Sequence, residues 1–314
     1  MKGALIRMKK ICVFGSLNVD MTLFVPRFNL PGETLTGTGM SIFTGGKGGN
    51  QAVACARLGA DVMMIGCLGD DANGRMYYDV LKREGVDVSG MTVCSGVTSG
   101  VAFIEVTPDG ENRIALSPGA NALLSAERAR QFEGEIARCG VYMTQLENPL
   151  EAIIEGARLA HAHGLKVVPD PAPARELPDE VFHYCDYVTP NETELSILTG
   201  MPADTVDQAV AAARTLIKRG ARTVLNKRGA QGVLWVTAED HELVPGYKVE
   251  AVDTTAAGDS FNAGFAVGLS EGMNDRDALR LANAVGALST TKAGAQPAMP
   301  DRARAGALVK GSDS

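Results

Sequence analysis

The segment with the most chemical content is Asp253-Thr254-Thr255-Ala256-Ala257-Gly258-Asp259, followed by Ser260-Phe261-Asn262-Ala263-Gly264-Phe265. Phe261, Phe265 and Leu269 recur every four residues, which predicts a helix beginning near Gly258. The small residues Ala256, Ala257 and Gly258 leave backbone N–H groups bare at that helix start, where the dipole also favours an anion. Asp259, in the first turn, puts a carboxylate beside whatever the cradle holds. A proton acceptor next to donors aimed at developing negative charge is what phosphoryl transfer to a hydroxyl needs. Taken alone, the pattern equally suits an Asp that stabilises a helix N-terminus, with glycine serving turn geometry.

Three other clusters carry polar groups at informative spacing. In Gly45-Gly46-Lys47-Gly48-Gly49-Asn50-Gln51-Ala52 the glycines let backbone approach a ligand, and a helix is expected from Asn50. The run is neither a Walker A, whose Lys follows four free positions and a Gly, nor a dinucleotide G-x-G-x-x-G. Lys, Asn and bare backbone suit recognition of hydroxyls. In Gly15-Ser16-Leu17-Asn18-Val19-Asp20 the alternation projects Asn18 and Asp20 to one side of an extended segment, a clamp for vicinal hydroxyls; alone it reads as a surface turn. In Pro190-Asn191-Glu192-Thr193-Glu194, Asn191 and Glu194 form a capping box, or else Asn191 serves phosphate oxygens and Glu194 a hydrated Mg²⁺.

These clusters sit at the ends of regular elements. Short apolar runs at 11–14, 62–67, 165–168, 187–189, 223–225 and 233–236 read as buried strands. Helical patterns at 50–58, 150–163, 205–218 and 275–290 lie between them. Alternation of this kind predicts an α/β fold: a doubly wound, mostly parallel sheet with helices on both faces. The segments 20–43 and 98–117 lack a helical period and are rich in Thr, Gly, Val and Phe. They are expected to form a small extra sheet, a lid over a cleft, inserted in a single domain spanning 1–314. The charged tail after Pro300 reads as a terminal helix.

Bulk properties bound the remaining possibilities. The 314 residues are 45% hydrophobic but only 5% aromatic, with 36 glycines, which describes an aliphatic core around many tight turns. A net charge of −7 argues against nucleic acid or an anionic membrane as partner, so an anionic ligand must be held locally. The six cysteines show no C-x-x-C pair and read as reduced core thiols. No run approaches the ~20 apolar residues of a membrane span, and the apolar run after Lys9 and Lys10 is too short for a signal peptide, so a cytoplasmic protein is expected. Met8 is an alternative start to Met1. The four histidines show no metal spacing, and Trp235 reads as core.

In order and spacing, the four clusters resemble the ribokinase family of carbohydrate kinases, the PfkB group, over essentially the whole chain. G-G-K-G-x-N and D-T-x-A-G-D are that group's two signature regions, and both stand intact. Residues 15–20, Pro31-Gly32-Glu33-Thr34, Gln145-Leu146-Glu147, 171–178 and 292–297 are also similar to ribokinase segments. The resemblance implies transfer of the ATP γ-phosphoryl group to the 5-hydroxyl of D-ribose, with Mg²⁺ and a monovalent cation, usually K⁺. It implies Asp259 as general base and Ala256, Ala257 and Gly258 as anion hole. Asn18, Asp20, Gly46, Lys47, Asn50 and Glu147 would hold the pentose. Asn191 and Glu194 would serve the Mg²⁺–phosphate region, Lys227, Gly229 and Gly232 the nucleotide, and Asn283 the adenine. Asp253, Thr255, Ser289, Lys292, Gly294 and Ala298 match the monovalent cation site, and the lid sheet implies a homodimer. The chain departs from the group in three places: Lys227 for a usual Thr, Asp170 for a frequent Asn, and Ala298 for a frequent Ser. The alternatives are deoxyribokinase, another sugar or nucleoside kinase, or a non-catalytic sugar sensor. Asn18 favours ribose, because deoxyribokinases tend to carry an apolar residue there, and the intact Asp259 disfavours a sensor.

Overall fold

The computed structural model describes residues 9–311, so the choice between Met1 and Met8 lies outside the described residues. The chain opens with β1 (Ile11–Phe14), β2 (Asn18–Phe24), β3 (Gly39–Gly45), α1 (Lys47–Arg57), β4 (Val62–Gly69), α2 (Ala72–Arg83), β5 (Asp87–Cys94), β6 (Gly100–Val106) and β7 (Asn112–Ser117). It continues with α3 (Ala126–Gln131), α4 (Glu133–Ile136), β8 (Val141–Thr144), α5 (Leu150–Ala162), β9 (Lys166–Pro169), β10 (Tyr187–Val188), α6 (Glu192–Thr199) and α7 (Val206–Lys218). The last elements are β11 (Thr223–Lys227), β12 (Gly232–Val236), β13 (His241–Pro245), α8 (Ala257–Ser270), α9 (Asp275–Ser289) and α10 (Arg302–Gly311).

Five strands form a wholly parallel ladder in the order β5-β4-β1-β8-β9, and four more follow as β10-β11-β12-β13. Backbone bonds from Asp186 N to Val167 O (3.0 Å) and from Thr189 N to Pro169 O (3.2 Å) join β9 to the β10 side, so the two ladders continue one another. Period-two geometry divides the side chains between two cores. Ile11, Val13, Met64 and Met143 pack under α1, α8 and α9, while Cys12, Phe14, Met63 and Tyr142 pack under α3 and α5. Both faces of the parallel ladder are therefore covered, which is why its strands read as continuous apolar runs. The doubly wound expectation holds, with β12 and β13 added as antiparallel strands.

The two segments without helical period fold as a separate four-stranded sheet, β3-β2-β6-β7. Within it β2 pairs antiparallel to β3 and parallel to β6. Its strands begin at Asn18 and end at Gly45, two residues beyond the expected bounds on each side. That extension matters, since it makes Asn18 and Asp20 strand residues, not turn residues. Helix α1 likewise begins at Lys47, three residues before the expected start, because Gly46 turns the chain at φ 79° and lets the glycine run wind directly into helix. Trp235 is half-buried at the core edge, where its indole N–H donates to Asp275 Oδ2 at 3.2 Å, and is not the core residue expected. The six cysteines are unpaired thiols, five of them buried. Among the described residues no helix is long and apolar enough to cross a membrane.

Candidate active site

Open α/β sheets place ligand-binding groups beyond the carboxyl ends of their strands. Here β1 leads to Ser16 and Asn18, β8 to Gln145 and Glu147, β9 to Asp170, β10 to Asn191, and β11 ends at Lys227. Helix α8 points its N-terminus into the same region. Ala256 adopts the left-handed conformation at φ 58°, alone in doing so among the described non-glycine residues. That turn starts the helix with no side-chain cap, which leaves its N-terminus for another occupant. The Ala257 N–H already donates to Thr254 O at 3.2 Å, so an anion must compete with that turn. A Cβ on Gly258 would lie 3.3 Å from Lys227 Nζ, so glycine keeps the approach open.

Asp259 is 4% exposed and accepts from Asn50 Nδ2 at 3.0 Å and from Gln51 Nε2 at 3.1 Å. Burial raises its carboxyl to about 6, with Asp170 adding repulsion, while the Lys47 ammonium and the two amides hold it from rising further. Lys47 is pulled the other way. Burial works against its charge, but the carboxylates of Asp259, Asp170, Glu147 and Glu194 outweigh that and raise it above the usual ammonium range.

On one side of Asp259, Glu147 Oε2 gathers Ser16 Oγ (2.5 Å), the Lys47 N–H (3.2 Å) and Asn18 Nδ2 (3.4 Å). Buried Asn121 fixes the orientation of Asn18: its Nδ2 donates to Asn18 Oδ1 (2.8 Å) and Leu17 O (3.0 Å), and its Oδ1 accepts the Leu17 N–H (2.9 Å). Asp20 faces Gly45, where an added Cβ would lie 2.1 Å from Oδ2. Burial, then Glu147 and Asp259, raise the Asp20 carboxyl to about 7. A Cβ on Gly46 would meet Asn18 N at 2.6 Å, so the glycine run seats α1 against β2. Asn18, Asp20, Gly46, Asn50 and Glu147 are thus brought to one side of Asp259, whereas Lys47 reaches the cleft on the other.

A cleft of about 440 Å³ on the other side is lined by Lys47, Asp170, Asn191, Glu194, Lys227 and Gly258, among others. It adjoins a larger, mostly apolar one of about 610 Å³ that takes in Gly229, Gly232, Val249, Ala251, Phe261 and Asn283. The capping reading of Asn191 and Glu194 holds, and it leaves both residues facing a cleft. They form a full capping box, with Asn191 N donating to Glu194 Oε2 at 2.7 Å and Glu194 N to Asn191 Oδ1 at 2.8 Å, and they also line the cleft. Burial raises Glu194, against the pull of Lys227. Two departures from the family pattern turn out to be partners: Lys227 Nζ donates to Asp170 Oδ1 at 2.9 Å.

The expected cation residues are only partly drawn together. Asp253 Oδ1 accepts from Thr255 N (2.9 Å) and Thr255 Oγ1 (2.6 Å), and its Oδ2 accepts from Gly294 N (2.7 Å). Despite some burial, those bonds lower its carboxyl. The Ser289 hydroxyl is turned to Gly286 O at 2.8 Å in its own helix, Lys292 is exposed, and Ala298 is buried in a 3₁₀ turn.

Residues that sequence reasoning left unassigned hold this site together. Gln51 binds Asp259 and also donates to Asp170 at 3.3 Å, and Gln145 Nε2 fixes its carbonyl at 2.7 Å. Gln296 Nε2 donates to Asn50 Oδ1 (3.3 Å) and Tyr77 Oη (3.2 Å), and Tyr77 donates to Gly45 O (2.5 Å). Gln51, Gln145 and Gln296 stood inside quoted segments, which was the available signal; Asn121 and Tyr77 gave none.

Known proteins resemble this chain in sequence and fold. Residues 8–302 match the profile of the pfkB family carbohydrate kinases. A ribokinase of Haemophilus influenzae is 44% identical over 294 residues, covering 94% of this chain and 96% of its own. A ribokinase of Bacillus subtilis is 39% identical over 297 residues, covering 94% and 97%. The solved structure of Arabidopsis thaliana ribokinase complexed with ribose and ATP superposes with a TM-score of 0.92 at 32% identity, covering 97% of this chain and 99% of that one. The chain therefore belongs to the pfkB family of carbohydrate kinases, as an ATP-dependent sugar kinase.

Proposed function

We propose that this enzyme transfers the γ-phosphoryl group of ATP to the 5-hydroxyl of D-ribose, giving ribose 5-phosphate and ADP. The observation that carries the reading is the position of Asp259: its carboxylate shares Asn50 with the sugar side and sits at the α8 N-terminus on the phosphate side. Asp259 takes the proton from the 5-hydroxyl as that oxygen attacks phosphorus. Lys47 and the N–H groups of Ala256, Ala257 and Gly258 stabilise the charge that builds on the transferring group. Asn18, Asp20, Gly46, Asn50 and Glu147 hold the ring hydroxyls. Asn18, kept in one orientation by Asn121, supports ribose over deoxyribose, since a sugar lacking its 2-hydroxyl would leave the Asn18 N–H₂ only its long contact to Glu147 at 3.4 Å. The mostly apolar cleft at Gly229, Gly232 and Asn283 suits the adenosine, with Lys227 and Asn191 toward its phosphates.

The residues present suit a hydrated Mg²⁺ and, through Asp253, Thr255 and Gly294 only, part of a monovalent cation site. Glu194 keeps one carboxylate oxygen free of its capping bond, next to Asp170, which suits a hydrated Mg²⁺. Asp253 takes only neutral donors at the hydrogen bonds above, so its negative charge suits a monovalent cation in the loop with Thr255, Ser289, Lys292, Gly294 and Ala298. When bound, the two ions neutralise phosphate charge and brace the anion cradle.

The small sheet serves as a lid over the sugar and as a dimer surface. It leaves Met40 and Ile114 each 61% exposed and Phe103 53% exposed, more apolar surface than a free sheet tolerates, and a second copy would cover it. Its use of ATP is consistent with the cytoplasmic location proposed for it. The test is ADP release with Mg-ATP across D-ribose, 2-deoxyribose, ketohexoses and nucleosides, with and without K⁺. Ribose ahead of the panel, and faster with K⁺, is expected. Preference for deoxyribose would overturn the role given to Asn18, and sugar binding without turnover would make the protein a sensor.

A further inference from the structure

Asp170 is a carboxylate where a carboxylate is least welcome. It is 2% exposed and lines the cleft that must receive a polyphosphate, together with Glu194 and Asp259. Like charges at that range oppose nucleotide binding strongly in a partly desolvated site. Its contacts show what it does instead. Oδ1 accepts from Lys227 Nζ at 2.9 Å, and Oδ2 accepts from Gln51 Nε2 at 3.3 Å. The same Gln51 nitrogen donates to Asp259 Oδ1 at 3.1 Å, and Gln145 locks the Gln51 carbonyl at 2.7 Å. An ammonium has three N–H groups, of which Asp170 takes one. Lys227 Nζ stands 3.3 Å from the position of a Cβ on Gly258, so its other N–H groups lie over the first turn of α8. A lysine stem left to itself samples many rotamers; this one is tied at its tip.

We propose that Asp170 is a positioning residue that aims the Lys227 ammonium at the phosphoryl group over the α8 N-terminus, in a frame shared with Asp259 through Gln51. The inference rests on reading that N-terminus as the phosphoryl site and deepens it. Lys47 and Lys227 then flank the transferring group from opposite sides, from α1 and from the end of β11. Asp170 acts only through Lys227. Without its lysine it is a bare negative charge beside an anion.

That dependence predicts a change of sign. Wild type, Asp170→Asn, Lys227→Met and the double variant are compared for ADP affinity by calorimetry, and for kcat and KM for ATP. Lys227→Met is expected to weaken ADP roughly 10-fold and to lower kcat by roughly 10- to 100-fold. Asp170→Asn alone is expected to shift both in the same direction by roughly 3- to 10-fold, since the ammonium loses its aim. In the Lys227→Met background the same Asp170→Asn change is expected to leave ADP affinity unchanged or to tighten it. A purely structural ion pair would lower melting temperature without that reversal. Tighter ADP binding by Asp170→Asn alone, or equal losses in both backgrounds, would overturn the proposal. Unchanged ADP affinity in Lys227→Met overturns it even if Asp170→Asn does not fold. ADP binding needs no sugar, so failure of wild type to phosphorylate ribose would strike the substrate reading and leave this cycle interpretable.

Discussion

Asp259→Asn separates the chemical role of the carboxylate from its structural cost. In the proposed role of general base Asp259 should contribute roughly two to four orders of magnitude, so kcat should fall by about 10²- to 10⁴-fold while ribose affinity changes little. The stability effect runs the other way. Moving the carboxyl from 3.8 to about 6 corresponds to roughly 3 kcal/mol against the folded state at neutral pH, at about 1.36 kcal/mol per pH unit. The sign follows from linkage. Between about pH 4 and 6 the folded protein holds a proton that the unfolded chain releases, so stability from this group is present at low pH and lost as pH rises through about 6. An asparagine escapes that penalty but turns an N–H₂ toward one of the two amide donors, Asn50 or Gln51, which costs about 1–2 kcal/mol. The remainder is a gain of about 1–2 kcal/mol at pH 8, or roughly 2–3 °C for a chain this long. At pH 4 the gain should vanish. Calorimetric melting at both pH values, beside turnover with ribose, reads every part. A variant less stable than wild type at pH 8, or equally advantaged at pH 4, would refute the strained-carboxylate account. Near-normal turnover would remove Asp259 from the base role.

The pH dependence of kcat/KM should show an acid limb. Protonation of Asp259 (about 6) and Asp20 (about 7) removes the base and the sugar clamp, so activity rises with pH and levels off near 8; a flat profile down to pH 5 would contradict both. Gly45→Ala should raise the KM for sugar roughly 10-fold or more with little change for ATP, because the new methyl lands on Asp20 Oδ2; unaltered sugar kinetics would show that Asp20 does not bind sugar. Ile42→Lys combined with Phe103→Glu should convert a dimer to monomer in light scattering, and a wild-type monomer at micromolar concentration would remove the lid sheet from the interface role.

The features legible in the sequence are those set by local backbone chemistry. Small residues before Asp259 announced a helix start that α8 adopts at Ala257, one residue from the expected place. Apolar runs announced β1, β4 and β11 because strands covered on both faces need no alternation. Strand β5 escaped notice because it is half-buried and mixed, DVSGMTVC; β8, VYMT, was missed although it is buried throughout and no shorter than β1. The start of α1 was misplaced because glycine usually means loop, whereas here the glycines permit a helix to pack directly on Ser16 and Leu17. The site's second ring of contacts was illegible for a different reason. Gln51 meets Gln145 and Asp170 across 94 and 119 residues of chain, and only the sheet order brings those strand ends together.

That second ring explains why so dense a cluster of carboxylates holds one geometry. Asp20, Glu147, Asp170, Glu194 and Asp259 repel one another, and the ammonium groups of Lys47 and Lys227 offset only part of that charge. Neutral amides provide the rest of the ordering, since they satisfy carboxylate lone pairs without adding charge. Asn50 and Gln51, adjacent on α1, hold the two oxygens of Asp259 from one helix. Asn50 is itself held by Gln296, which also accepts from Thr44 and binds Tyr77, and Tyr77 holds the Gly45 carbonyl. Asp259, Asn50 and the C-terminal end of β3 are therefore one hydrogen-bonded unit. A change at Gln296, far from the reacting atoms, loosens Asp259 and the lid together, because a buried polar network with one member missing fails at each of its ends.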